Sequence, residues 1–130
     1  MSNPVTATVQ VDARPEVVYE LITDLPTLTS LAEETVAMEL HKGDAISKGT
    51  VFVGHNENRG RRWTTKCTVT DAEPGRVFAF DVRHKVFPIA RWQYDIVAFD
   101  GGCRVTDRVA ANTEHIQITL QRLKQRAETG

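Results

Sequence analysis

The side chains of this sequence that could do chemistry gather on one phase of a strand pattern. In "ARWQYDIVAF" Trp92, Tyr94, Ile96 and Ala98 alternate in phase, and in the next strand-like run Asp107 follows Val105 by two positions. A phenol and a carboxyl thus share the phase of the large apolar residues. A carboxyl buried beside Tyr94 would resist ionisation and could pass a proton on. Asp81 and Asp95 could also act as acid or base, but they fall on the opposite phase. The competing reading of Asp107 is a solvated residue that closes a strand.

The same mixture recurs upstream. In "RRWTTKCTV" Trp63, Thr65, Cys67 and Val69 alternate against Arg62, Thr64, Lys66 and Thr68, and in "GTVFVGHN" Thr50, Phe52, Gly54 and Asn56 share a face. Aromatic rings beside a hydroxyl, a thiol and an amide describe a core whose polar groups satisfy one another, unless the fold leaves a cavity there for a ligand. Gly54 leaves room for a ligand or marks a bend. His41, His55, His84 and His115 have no paired spacing, and Cys67 and Cys103 belong to no CxxC pattern, so the thiols read as buried and free. The expectation is no metal and no cofactor. No nucleophile elbow, phosphate loop or dinucleotide fingerprint is present. The basic turn "NRGRR", with Arg83, His84 and Lys85 elsewhere, could meet phosphate or carboxylate groups; the plainer reading is a solvated hairpin end.

The elements that must position these groups follow from period changes. Val5, Ala7, Val9 and Val11 alternate as a half-buried strand. "DARPEVVYELITDLP" then turns helical, with Pro15 in the first turn, Val18, Leu21, Ile22 and Leu25 on one face, and Pro26 expected to end it. "TLTSLAEE" offers a second short helical turn. From Val36 to Asp107 the pattern is a run of hairpins, broken by a Lys-Gly-Asp turn, "NRGRR", "DAEPGR" and "DGG". "NTEHIQITLQRLKQRAE" returns to helical spacing from Asn112 to about Glu128, with Ile116, Leu120 and Leu123 on one side. A meander with one amphipathic terminal helix is an α+β pattern in which the helix covers the sheet.

With 130 residues the chain is read as one domain, residues 1–130, and its formal charge of −1 offers no global field for nucleic acid. No apolar run reaches the length of a membrane span, and the start "MSNPVTATVQV" lacks the blocks of a secretory signal. A cytoplasmic location is the expectation.

The element order, with "DARPEVVYELITD", "GTVFVGHNENRGRRWTTKCTV", "EPGRVFAFDV" and "ARWQYDI", resembles the polyketide cyclase/dehydrase-like branch of the SRPBCC superfamily, the START-related helix-grip fold. The resemblance covers nearly the whole chain. It implies a curved antiparallel sheet of about seven strands wrapped around a long C-terminal helix, two short helices after the first strand, and a cavity between sheet and helix. Because only "RVAA" separates "CRVTD" from the last helix, it also implies a short last strand, or residues missing from the chain. The absence of an aromatic residue in "LTSLAEE" implies a more open wall there.

Under that resemblance the ligand-lining candidates are Phe52, Gly54, Asn56, Trp63, Thr65, Cys67, Phe80, Trp92, Tyr94, His115 and Thr119, and the proton-transfer candidates are Tyr94, Asp107 and His115. The leading expectation is a binding or carrier protein for a small hydrophobic molecule, lipid- or polyketide-like. A cofactor-free polyketide cyclase or dehydratase is the rival. A protein-interaction module with a filled cavity is the third reading, and a homodimer stays open.

Overall fold

The computed structural model describes residues 5–32, 35–42, 45–85, 87–110 and 116–129; the side chains of Val5, Lys42, residues 116–121 and Thr129 lie outside that description. Among the described residues the elements run β1 (Val5–Val11), α1 (Pro15–Ile22), α2 (Leu25–Leu31), β2 (Thr35–Lys42), β3 (Val51–Asn58), β4 (Arg61–Glu73), β5 (Val77–His84), β6 (Phe87–Phe99), β7 (Gly102–Val109) and α3 (Ile116–Thr129). All strands join one antiparallel sheet in the order β1-β7-β6-β5-β4-β3-β2. Strands β2 to β7 form a meander, and β1 closes beside β7.

The hairpins follow from local chemistry. Arg59 and Gly60 take positive φ values of 52° and 80° in the β3–β4 turn, the backbone that a two-residue hairpin needs. Pro74 and Gly75 turn β4 into β5, with Gly75 at φ 75° and the Arg76 amide donating to the Glu73 carbonyl at 2.9 Å. Register shifts between Val69 and Asp71 and between Val82 and Arg83 interrupt the ladders on either side of β5. An unpaired extra residue bends a strand and increases its twist, so a sheet with such interruptions curves over its helices.

Two sequence expectations are corrected. Pro26 does not end the first helix: α1 stops at Ile22, and Pro26 occupies the first turn of α2, whose start is capped by Asp24 accepting from the Thr27 amide at 3.1 Å. Leu25 therefore belongs to α2. The last strand is not short, because β7 takes in Arg108 and Val109 and pairs with β1 from Val5↔Val109 to Val11↔Cys103. Gly102 starts β7 because a Cβ there would stand 2.2 Å from the Val11 carbonyl oxygen. The final helix is described from Ile116; residues 112–115 of the expected helix lie outside the described residues.

Helix α3 packs on β1 and β7 and against α1 and α2. Its Leu123 is fully buried, and Ala127 joins the same core with Val18, Ile22, Leu28 and Leu31 of the two short helices. Polar ties fix the helix in place. Arg122 donates to the Ala32 carbonyl at 2.9 Å and the Leu31 carbonyl at 3.4 Å, placing a cation at the negative end of α2. Lys124 donates to the Gln10 carbonyl at 2.9 Å, while Glu128, paired with Lys124, accepts from the Asp12 amide at 3.0 Å.

Candidate functional site

Cross-strand register brings the inward residues into rows. Phe52 stands opposite Cys67, which stands opposite Val82; Val69, Phe80, Trp92 and Val109 form a second row; Tyr94, Asp107 and Ala7 stand in a third. This face meets the helices, since Phe52, Val69, Phe80, Tyr94 and Ile96 share one core cluster with Leu28, Leu31 and Leu123. An aromatic track crosses it: Phe52 to Phe80 at 5.3 Å, Phe80 to Phe78 at 5.3 Å, Phe78 to Tyr94 at 6.5 Å and Tyr94 to Trp92 at 6.4 Å between ring centroids. Rings at these separations in tilted or offset stacks attract one another beyond simple burial.

At the end of that track lies Asp107. It is 0% exposed, and neither carboxyl oxygen has a hydrogen-bond partner among the described residues. Burial pushes the carboxyl well above its ordinary value. Tyr94, directly opposite on β6 and 1% exposed, is pushed upward too, by burial first and then by the negative charge Asp107 would carry. The solvated-strand-end reading of Asp107 therefore fails: β7 continues past it to Val109, and β1 covers its other flank.

A second polar group on the same face has a different character. Asn56 accepts from the Thr35 hydroxyl at 2.7 Å and donates to the Thr65 hydroxyl at 3.2 Å, the Gly54 carbonyl at 3.3 Å and the Trp63 carbonyl at 3.4 Å. The space above Gly54 belongs to this group, for a Cβ there would lie 2.9 Å from the Thr65 hydroxyl oxygen. Cys67 continues it: burial pushes its thiol up to about 12 even though a hydrogen bond with Thr65 pulls the other way. Both cysteines are buried and free.

The structure thus puts Phe52, Gly54, Asn56, Trp63, Thr65, Cys67, Phe80, Trp92, Tyr94 and Asp107 on one sheet face. Trp92 is half-buried and packs against the core, while Trp63 is half-buried outside that cluster. His115 and the Thr119 side chain lie outside the described residues.

Sequence reasoning missed a polar network on the opposite face. Arg91 donates to Asp81 at 3.1 Å, to Asp71 at 3.1 Å and to the Thr70 hydroxyl at 2.8 Å, and Gln93 donates to Asp95 at 3.1 Å. An open groove of about 800 Å³ runs over Asp71, Arg91, Gln93 and Asp95, lined also by Glu73, Arg76 and Val97. Its signal was the polar phase of "ARWQYDIV", but which charges meet depends on strand pairing. Its charged, open lining does not suit an apolar ligand.

Comparison with known proteins agrees with this geometry. The family model described as "Polyketide cyclase / dehydrase and lipid transport" matches residues 4–128. The chain belongs to this family. Among solved structures it is similar to DR_A0006 from Deinococcus radiodurans, with 19% identity and a TM-score of 0.77 over 99% of each chain. It is also similar to Ara h 8.0201, with 10% identity and a TM-score of 0.76 over 98% of this chain and 99% of that one. The di-domain ARO/CYC StfQ from the steffimycin biosynthetic pathway matches at 10% identity and a TM-score of 0.77, over 97% of this chain and 51% of that one. Identities this low establish the helix-grip fold alone. A search of the curated proteins finds no match. Among the described residues no helix is long and apolar enough to cross a membrane, and no group of three His, Cys, Asp or Glu side chains could hold a metal ion.

Proposed function

We propose that the protein binds a small hydrophobic molecule between the inner sheet face and α3, with Trp92 and Tyr94 as aromatic walls and Asp107 as the polar anchor. The observation that carries this is Asp107 itself, fully buried on an apolar face with both oxygens unpartnered among the described residues. Leaving such a group unpaired costs about 1–3 kcal/mol, a cost that a ligand's polar atom would remove. Kept protonated by burial, the carboxyl donates to a carbonyl or hydroxyl oxygen of the bound molecule. Membership in a family of cyclases, dehydrases and lipid transporters supports this class of ligand.

The test is a titration with Nile red, an uncharged dye with a carbonyl acceptor, together with native mass spectrometry of the protein as purified. One saturable site with enhanced dye emission, weakened about tenfold in Trp92→Ala as expected for losing an aromatic wall, is the predicted result. A folded protein that shows neither saturable dye binding nor a co-purifying molecule contradicts the proposal.

The Tyr94–Asp107 juxtaposition favours a second reading, a cyclase or dehydratase in which the carboxyl gives a proton to a substrate oxygen and the phenol assists. In that case Asp107→Asn and Tyr94→Phe abolish turnover of a polyketide-like substrate while dye binding persists. Turnover that survives both substitutions excludes it.

A further inference from the structure

The basic turn singled out in the sequence does not stand alone in the fold. The β3–β4 hairpin end carries Arg59, Arg61 and Arg62, and the β5–β6 hairpin end carries Arg83 and Lys85. Antiparallel pairing puts both ends at the same edge of the sheet: Lys66 of β4 stands opposite Arg83 of β5, and His84 Nδ1 lies 3.0 Å from the Thr64 carbonyl. Arg62 is four residues beyond Lys66, so at about 3.3 Å per residue the first hairpin projects roughly 13 Å past the Lys66–Arg83 pair.

Across residues 57–66 and 83–89 the sequence has six cations, Arg59, Arg61, Arg62, Lys66, Arg83 and Lys85, against one carboxylate, Glu57. All six cations are exposed. In a chain whose formal net charge is −1 this is a strong local excess. Glu57 pairs with Arg62 at 3.6 Å, both side chains remaining exposed, and among the described residues no ion pair engages the other five cations.

Apolar side chains protrude at the same edge. Phe87 is 65% exposed and Ile89 42% exposed, both at the start of β6 beside Lys85. A bare phenylalanine flanked by cations suits a surface that is anionic at its face and apolar beneath.

We infer that this edge is a docking surface for an anionic lipid bilayer: Arg59, Arg61, Arg62, Arg83 and Lys85 meet headgroup phosphates while Phe87 and Ile89 enter the acyl boundary. Single-stranded nucleic acid shares the phosphate chemistry, but it gives no reason for an aliphatic side chain such as Ile89 to stand beside the ring. The inference does not depend on whether the interior holds a ligand.

The experiment is co-flotation of the full chain with vesicles of phosphatidylcholine alone or mixed with phosphatidylserine, at low and high salt, alongside an electrophoretic assay with a single-stranded RNA oligonucleotide. Binding to the mixed vesicles, little to neutral ones, and weakening with salt are expected. Arg61→Glu/Arg83→Glu should lower partitioning by at least about twentyfold, given roughly fivefold for each basic residue near such a surface. Phe87→Ser should lower it roughly tenfold. Arg61→Lys/Arg83→Lys keeps the charge and should retain binding, which separates lost contact from lost folding. Equal binding to neutral and mixed vesicles, no vesicle binding, tight RNA binding without vesicle binding, or undiminished partitioning of the folded glutamate variant would each overturn the inference.

Discussion

Two polar groups share the inner sheet face, and they differ in how their hydrogen bonds are met. Around Asn56, Thr35, Thr65 and two backbone carbonyls occupy the amide, and the space over Gly54 is already filled. Around Asp107, buried more deeply still, the carboxyl has no partner among the described residues. The first group explains why a core strand can carry a threonine and an amide: they form one another's environment. The second has no such explanation among the described residues, and that asymmetry is what supports the proposal that a ligand's polar atom meets it.

The largest effect should come from α3, the helix that packs on β1 and on β7, the strand that carries Asp107. Leu123→Asp buries a carboxylate with no partner at a fully enclosed position, at a cost of several kcal/mol, comparable to the stability of a small domain. Loss of the cooperative melting transition is expected; an unchanged melting temperature would show that α3 does not hold the sheet as described.

Next comes the satisfied group. Asn56→Ala leaves the Thr35 and Thr65 hydroxyls without their amide partner and should destabilise by about 2–3 kcal/mol in denaturant titration. Its dye affinity should stay near that of the unaltered protein. A large loss of affinity with little loss of stability would reverse the roles assigned to the two groups.

Asp107→Asn should behave in the opposite sense. Because the folded carboxyl titrates well above its ordinary value, the unfolded chain loses this proton first as pH rises above about 4, so folding takes up a proton. Stability contributed by the protonated form is complete below that pH and declines as pH rises toward the folded value, by at most about 1.4 kcal/mol per pH unit. Asparagine does not titrate. The variant should therefore gain on the unaltered protein from pH 4 upward, and parallel stability–pH curves would contradict the assignment.

Much of this was legible in the sequence. Strict alternation in "ARWQYDIVAF" and "RRWTTKCTV" gave the inner face residue by residue, because a one-residue slip would turn every large apolar side chain to water. The neighbour of β1 was not legible, since pairing with β7 is a contact across about a hundred residues that no local pattern encodes. Pro26 misled because proline fits the first turn of a new helix as well as it stops an old one. The burial of Asp107 was undecidable for the same kind of reason: its fate depends on Val5 to Val11 lying alongside, whereas the Arg91 network depends on which acidic residues of β4 and β5 come opposite.

The central claim is that Asp107 is a neutral carboxyl waiting for a partner, and the most direct test is the carbon-13 resonance of its carboxyl group followed through a pH titration, with and without Nile red. The account predicts a protonated signal that persists well above pH 4 and shifts when the dye binds. A titration midpoint near the ordinary aspartate value, or a signal indifferent to a dye that is demonstrably bound, would contradict it.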